Sequence, residues 1–414
     1  MQEHSQYAVG LDIGTTKVRA IVAHIDDATG VPSIVGVGQA DNSGMRKGVV
    51  VNLQGPGPAI DAALGEAERM SGYQVHGATL SVNGSHILTT HADGMVAVSG
   101  VDHEINHDDL ARLRDVATTG KIPANRDILD VVAHSYKLDG QENIKSPLGM
   151  TGTRLEIDAH VVSALTPYLM NVEKAAESAQ VATHAVIPTS IAAARTVLSE
   201  SQLENGVAVI DFGGATTSIA VYEEGDLQYS GVVPIGGINI TNDLAIGLKT
   251  DPEIAEIVKV KHACALGHAE KATVEVKHEK ETYSFASEEL NEIVEARLEE
   301  MFDGIQAHLK KAGRAGRLPS GVVLVGGGAK LKHITEYAKE TLGLSARIGQ
   351  PTGFGGVADD IDKLEFATAI GLMLIDAEQA PQQDRKPGGG LKLKTPNAKD
   401  LKGKATKIFG WFKA

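Results

Sequence analysis

The pattern that most restricts this chain is a strand that stops near an aspartate, turns through glycine and hydroxyl residues, and returns as a second strand. It occurs twice. The first copy reads Val9-Gly10-Leu11-Asp12-Ile13-Gly14-Thr15-Thr16-Lys17 and continues into Val18-Arg19-Ala20-Ile21-Val22-Ala23. The second reads Val207-Ala208-Val209-Ile210-Asp211-Phe212-Gly213-Gly214-Ala215-Thr216-Thr217 and continues into Ser218-Ile219-Ala220-Val221-Tyr222. The apolar, β-branched runs predict strands buried on both faces, and Gly213-Gly214 permits a tight turn that other residues resist. In such a turn backbone N–H groups face phosphate oxygens, Thr216 and Thr217 add hydroxyl donors, and Asp211 holds a hydrated cation. One copy alone is also compatible with a plain β-hairpin. Asp12 and Asp211 lie 199 positions apart (211 − 12), a repeat of domain size. Two like domains facing each other across a polyphosphate are therefore expected.

Composition narrows the setting. A chain of 414 residues has room for about three domains. Its 42% hydrophobic and 22% charged residues are ordinary for a soluble globular protein. No run of ~18 apolar residues is present, and Met1-Gln-Glu-His-Ser-Gln6 lacks the regions of a signal peptide. Cys264 is the one cysteine, which excludes an internal disulfide and fits a reducing compartment. A net charge of −14 argues against general nucleic-acid binding. The charge is uneven. Residues 385–414 hold nine basic residues and one acid, a net of +8, which leaves −14 − 8 = −22 for the rest. On a helix, Leu401, Ala405, Ile408, Phe409, Trp411 and Phe412 fall within an arc of roughly 160°. Lys402, Lys407 and Lys413 face away or flank it, with Lys404 at the edge. Residues 399–414 thus read as an interfacial amphipathic helix behind a Pro/Gly-rich flexible linker at 376–398; the alternative is a tail that docks on its own body.

Residues 84–165 read as a compact unit inserted into the first half, because the doubled pattern resumes after it. This unit contains His103-Glu104-Ile105-Asn106-His107, a literal H-E-x-x-H. A zinc site needs both imidazoles on one helix face. Asn106 instead suits a helix N-cap with Asp109 in the capping-box position, so the match reads as chance. Thr166-Pro167 predicts a helix start, Asp251-Pro252-Glu253 another, and Ser287 caps a long helix to Lys311. Strand Val322–Val325 runs into Gly326-Gly327-Gly328, which matches neither the P-loop nor the dinucleotide fingerprint. It reads as a nucleotide contact by bare backbone, or as a tight turn only.

Together with Pro188, Ala192-Ala193-Ala194 and Val325-Gly326-Gly327-Gly328, the two Asp-x-Gly turns resemble the actin/Hsp70/sugar-kinase ATPase superfamily. Within it the chain resembles the FtsA family of actin-like bacterial cell-division proteins over nearly its whole length. The most specific stretches are Gly84-Ser85-His86-Ile87, residues 144–154, residues 260–266 and Arg347-Ile348-Gly349. The resemblance implies an α/β fold of duplicated actin-like ATPase domains around a nucleotide cleft, with an inserted small α+β subdomain (1C) and a C-terminal amphipathic helix. It assigns 1–83 and 166–188 to subdomain 1A, 84–165 to 1C, 189–238 and 312–375 to 2A, and 239–311 to 2B.

The resemblance also implies ATP and Mg²⁺. Gly14, Thr15, Thr16, Lys17, Gly213, Gly214, Thr216 and Thr217 would hold the phosphates, and Asp12 and Asp211 the Mg²⁺ through water. Glu256 and Lys259, whose i, i+3 spacing puts them on one helix face, would clasp ribose and base, with Gly326, Gly327 and Gly328 near the adenine. The implied partners are further copies in an actin-like filament, other division proteins on 84–165, and the acidic C-terminal peptide of FtsZ, a tubulin homologue. Arg297 would grip that peptide. Ile408, Phe409, Trp411, Phe412, Lys404, Lys407 and Lys413 would rest on the anionic cytoplasmic face of the membrane at the division site. One departure stands out. Several relatives carry a carboxylate before the proline that Pro188 matches, and here the residue is Ile187. No catalytic residue is assigned, and weak or no ATPase activity is expected. A metabolic sugar-type kinase would need a catalytic aspartate against an acceptor hydroxyl, and none can be placed. A chaperone ATPase would need a second folded domain after residue 380.

Overall fold

Two sheets carry the doubled pattern and are wired alike. In the first, strands Gln6–Ile13 (β1), Lys17–Ile25 (β2), Pro32–Asp41 (β3), Gly77–Val82 (β4) and Ala182–Pro188 (β5) lie in the order β5-β4-β1-β2-β3. In the second, Val207–Phe212 (β6), Thr217–Glu223 (β7), Asp226–Val233 (β8), Val322–Val325 (β9) and Ala346–Ile348 (β10) lie in the order β10-β9-β6-β7-β8. In both, the first three strands form an antiparallel meander and the last two join in parallel. The computed structural model describes residues 6–26, 29–100, 102–267, 272–279, 281–356 and 364–379.

Parallel neighbours need crossover segments, and helices supply most of the cover. Among them are Pro56–Ser71 (α1), His107–Thr118 (α2), Thr166–Ser178 (α3), Thr189–Val197 (α4), Gly237–Gly247 (α5), Pro252–His262 (α6), Ser287–Lys311 (α7) and Ala367–Gln379 (α8). The first sheet is buried on both faces by period-2 alternation. Leu11, Ala20 and Val22 pack with α1 and α3, while Ala8, Ile21 and Ala23 pack with α8. The position of α8 corrects the expected boundary. Residues 367–375, assigned to the second half, return to lie on β1 and against α4. Residues 376–379, expected in the linker, are the last turn of this helix. Ile187, Ile191, Val209, Val323 and Leu372 form one apolar spine between the two sheets.

The insert runs between β4 and β5. Its strands Leu88–Ala97, Arg154–Leu165, Arg126–Leu138 and Gln141–Ile144 pair antiparallel in that order, and α2 covers one face through Leu113 and Ala117. Asn106 caps α2: its side chain accepts from the N–H groups of Asp108 (2.9 Å) and Asp109 (3.0 Å). The Asp109 carboxylate accepts from the Asn106 N–H at 3.2 Å, closing the capping box. His103 has φ 52° and precedes the helix, so His103 and His107 do not share a helix face. Two starts fall one residue from expectation. Leu165 is the N-cap of α3, and Ala286 that of α7. The Ser287 hydroxyl instead accepts from the Ala272 N–H at 3.0 Å, tying α7 to the preceding hairpin. The expected amphipathic helix at 399–414 lies outside the described residues. Among the described residues no helix is long and apolar enough to cross a membrane.

Candidate nucleotide cleft

The two Asp-x-Gly turns are closed by the same bond. Gly14 N–H donates to the Lys17 carbonyl (3.0 Å), and Gly213 N–H to the Thr216 carbonyl (2.9 Å). This register equates Lys17 with Thr216, two places away from an alignment made on the paired threonines. Thr217 is the first residue of β7. Its hydroxyl, fully buried, donates to the Ile235 carbonyl at 2.9 Å and does not face the turn, contrary to its expected role. The glycines also matter for a different reason than expected. None of Gly14, Gly213 and Gly214 has positive φ. A Cβ on Gly214 would lie 2.7 Å from Oγ1 and Cγ2 of Thr16. The turns of the two domains thus meet face to face, and Gly214 gives them the space.

Asp12 and Asp211 lie in the cleft wall, each 8% exposed. Asp12 Oδ1 is buried without a hydrogen-bond partner, and Asp211 Oδ2 accepts from the Thr368 hydroxyl at 3.4 Å. Burial pushes both carboxyls up from the ordinary range, Asp211 to about 7 with the Asp12 charge as the second cause. The Arg19 guanidinium opposes both shifts. Two coupled carboxylates and an orphan acceptor leave negative charge that a hydrated divalent cation would satisfy, so the donor set fits Mg²⁺. Gly326 closes this wall at φ 82°, where a Cβ would sit 2.3 Å from Asp211 Oδ1. A side chain there would be strained as well as clashing. Gly327 and Gly328 follow in the short 3-10 turn Gly327–Lys330.

The Glu256–Lys259 pair is assembled as its i, i+3 spacing implies. Lys259 Nζ donates to the Glu256 carboxylate (2.6 Å), the Thr241 hydroxyl (2.8 Å) and the Gly237 carbonyl (3.1 Å). Thr241 also donates to Glu256. The start of α5 is docked on the second turn, because the N–H groups of Gly237 and Ile238 donate to Gly213 (3.0 Å) and Gly214 (2.7 Å). Lys17 is engaged elsewhere, paired with Asp41 at 2.7 Å on an exposed surface. Three residues of the cleft were not expected from the sequence: Asn83, Asn42 and Ser81. Asn83 Nδ2 donates to Thr216 Oγ1 (3.0 Å), Asn42 Nδ2 donates to the Gly14 carbonyl (2.6 Å), and Ser81 Oγ accepts from the Ile13 N–H (2.8 Å). Only Asn83 carries a sequence signal, since Asn83-Gly84 is a turn dipeptide directly after a buried strand.

A profile described as cell division protein FtsA matches residues 208–371, and one described as the SHS2 domain inserted in FtsA matches 84–163. The cell division protein FtsA of Pseudomonas aeruginosa is 36% identical over 370 residues, 88% of either chain. The chain belongs to the FtsA family. Two solved structures share the fold: a PilM–PilN type IV pilus biogenesis complex and MreB5 of Spiroplasma citri bound to ADP. The first has TM-score 0.65 at 16% identity, covering 89% of this chain and 98% of that one. The second has TM-score 0.51 at 15% identity, covering 91% and 98%. This is an actin-like cell-division protein with the FtsA insertion.

Two positions bear on what this FtsA-family chain does. Ile187 is 2% exposed at the end of β5, inside the shared apolar spine, so the residue before Pro188 has no proton acceptor. Arg297 is already paired. Its Nε and Nη2 donate to the Asp243 carboxylate at 2.5 and 2.9 Å, and Nη1 bonds Glu300. An acidic peptide gripped by Arg297 must therefore displace two carboxylates of the chain itself.

Proposed function

We propose that this FtsA-family protein binds ATP with Mg²⁺ between the facing turns, polymerises through its actin-like body, and tethers FtsZ filaments to the cytoplasmic face of the membrane at the division site. The observation that carries the nucleotide reading is the pairing of two equivalent turns at Gly214 and Thr16, beside the buried carboxylates Asp12 and Asp211. Backbone N–H groups of the turns and the Thr15, Thr16 and Thr216 hydroxyls bind phosphate. Asp12 and Asp211 orient the waters of Mg²⁺, which when bound supplies charge neutralisation for the phosphates. Glu256 and Lys259 exchange bonds to each other for bonds to the nucleoside. Sedimentation with anionic liposomes, with and without ATP, tests the whole reading; protein that ignores both ATP and lipid would refute it.

Hydrolysis is slow in this proposal. Orientation of the attacking water is a main protein contribution beyond the clamp and metal, and Ile187 cannot provide it. Phosphate release by the purified protein is expected well below the ~1–10³ s⁻¹ typical of enzymes. Several turnovers per second would contradict it.

In this proposal FtsZ docks on the Arg297 face. Arg297→Glu should weaken an acidic FtsZ C-terminal peptide by about tenfold or more in fluorescence anisotropy, ~1.4 kcal/mol, with ATP binding intact. Asp243→Ala should tighten the peptide, since it removes the competing internal carboxylate. Equal affinities in all three proteins would take Arg297 out of the site.

A further inference from the structure

A recess of about 560 Å³ lies where the first domain meets the insert. Three cationic side chains line it, Arg46, Lys47 and Arg126, and no aspartate or glutamate does, in a chain with net charge −14. Arg126 is held by neutral acceptors: Nε donates to Ser163 Oγ (3.0 Å), and Nη2 to the carbonyls of His86 (2.5 Å) and Ser163 (2.8 Å). Those bonds aim the guanidinium without cancelling its charge. His86, 8% exposed, has Nε2 3.1 Å from the Asn83 carbonyl and a buried Nδ1 without a partner. Burial brings its imidazole down to about 4, so it is a neutral polar wall. The His86 ring packs on Tyr168 at 4.6 Å between centroids, and Val51, 63% exposed, adds apolar surface.

We infer that this recess binds a small organic anion, a phosphate or carboxylate group attached to an apolar or aromatic body. Three cations without an acid leave a local positive field that an anion relieves, and arginine adds directed donors for its oxygens. The aromatic and aliphatic wall covers the rest of the ligand, and the volume suits a compact small molecule. The site is separate from the nucleotide cleft and does not depend on that reading, although they share loops. Gly48 N–H, next to Lys47, donates to Thr15 Oγ1 at 3.1 Å, and Asn83, which holds His86, donates to Thr216.

The test is calorimetric titration of the full chain with phenyl phosphate, phenol and inorganic phosphate, each with and without Mg-ATP. Phenyl phosphate should bind more tightly than phenol or inorganic phosphate, weaken with salt, and persist when Mg-ATP is saturating. Arg46→Glu with Lys47→Glu, both exposed and cheap to replace, should weaken it about tenfold or more. The same reversal at Lys121 and Lys137, outside the recess, should not. Three results would overturn the inference: no binding at millimolar phenyl phosphate, equal binding by the recess variant, or full competition by Mg-ATP. Binding to phosphatidylglycerol vesicles through Arg46 and Lys47 with none to phenyl phosphate would overturn it in favour of a membrane contact.

Discussion

Asp211→Asn should abolish detectable Mg-ATP binding and, at the same time, stabilise the nucleotide-free protein at neutral and alkaline pH. The two effects have one cause. Asp211 is buried beside Asp12, and its carboxyl is pushed up to about 7 from an ordinary 3.8. The folded protein therefore holds more protons than the unfolded chain between about 4 and 7. Stability falls as pH rises through that window, and the fall is complete above it. One pKa unit is worth about 1.4 kcal/mol. With Asp12 relaxing as its neighbour changes, a gain of about 1–2 kcal/mol is expected for the variant at pH 8, and little or none near pH 4. Thermal unfolding of the wild type and Asp211→Asn at both pH values reads this directly. Labelled-ATP binding reads the other arm. Unchanged ATP affinity in both Asp211→Asn and Asp12→Asn would mean that the nucleotide lies elsewhere.

Deleting residues 399–414 should release the protein from anionic membranes without changing ATP binding. Ile408, Phe409, Trp411 and Phe412 each contribute at most ~1.5–3 kcal/mol on full burial. Shallow insertion gives part of that, and ordering the helix costs chain entropy. Each lysine near an anionic surface adds about 1 kcal/mol. On the proposed reading the sum makes each tail a reversible single anchor. In a filament the tails are linked, and avidity rises by ~10²–10⁴. Trp411→Glu should mimic the deletion by charging the apolar face. A body variant that cannot polymerise should bind liposomes weakly with its tail intact. If it binds as tightly as the parent at matched concentration, the tail suffices alone and avidity is not the mechanism.

What was legible in the sequence was local. The strand–turn–strand copies, the Asn106 capping box and the Glu256–Lys259 spacing each involve residues within one element or its neighbour, where backbone periodicity dictates who meets whom. The Thr217 assignment failed because successive side chains on extended backbone point to opposite faces, so the hydroxyl next to that of Thr216 turns away from the turn and bonds the Ile235 carbonyl.

By itself, the sequence determined that two like strand–turn–strand units exist, that an insert separates their halves, and that each unit carries one aspartate. Only the tertiary structure decided that the turns meet at Gly214 and Thr16, and that the two aspartates share a charge problem. It also decided that Asn83 reaches Thr216 across 133 positions, that Arg297 is taken by Asp243 across 54, and that α8 returns to the first sheet. The physical reason is the same in each case. Hydrophobic burial specifies which face of an element turns inward but carries no direction toward a particular partner. Partners far apart in the chain are chosen by how two twisted sheets and their helices close on a shared spine, and spacing along the sequence carries no record of that closure.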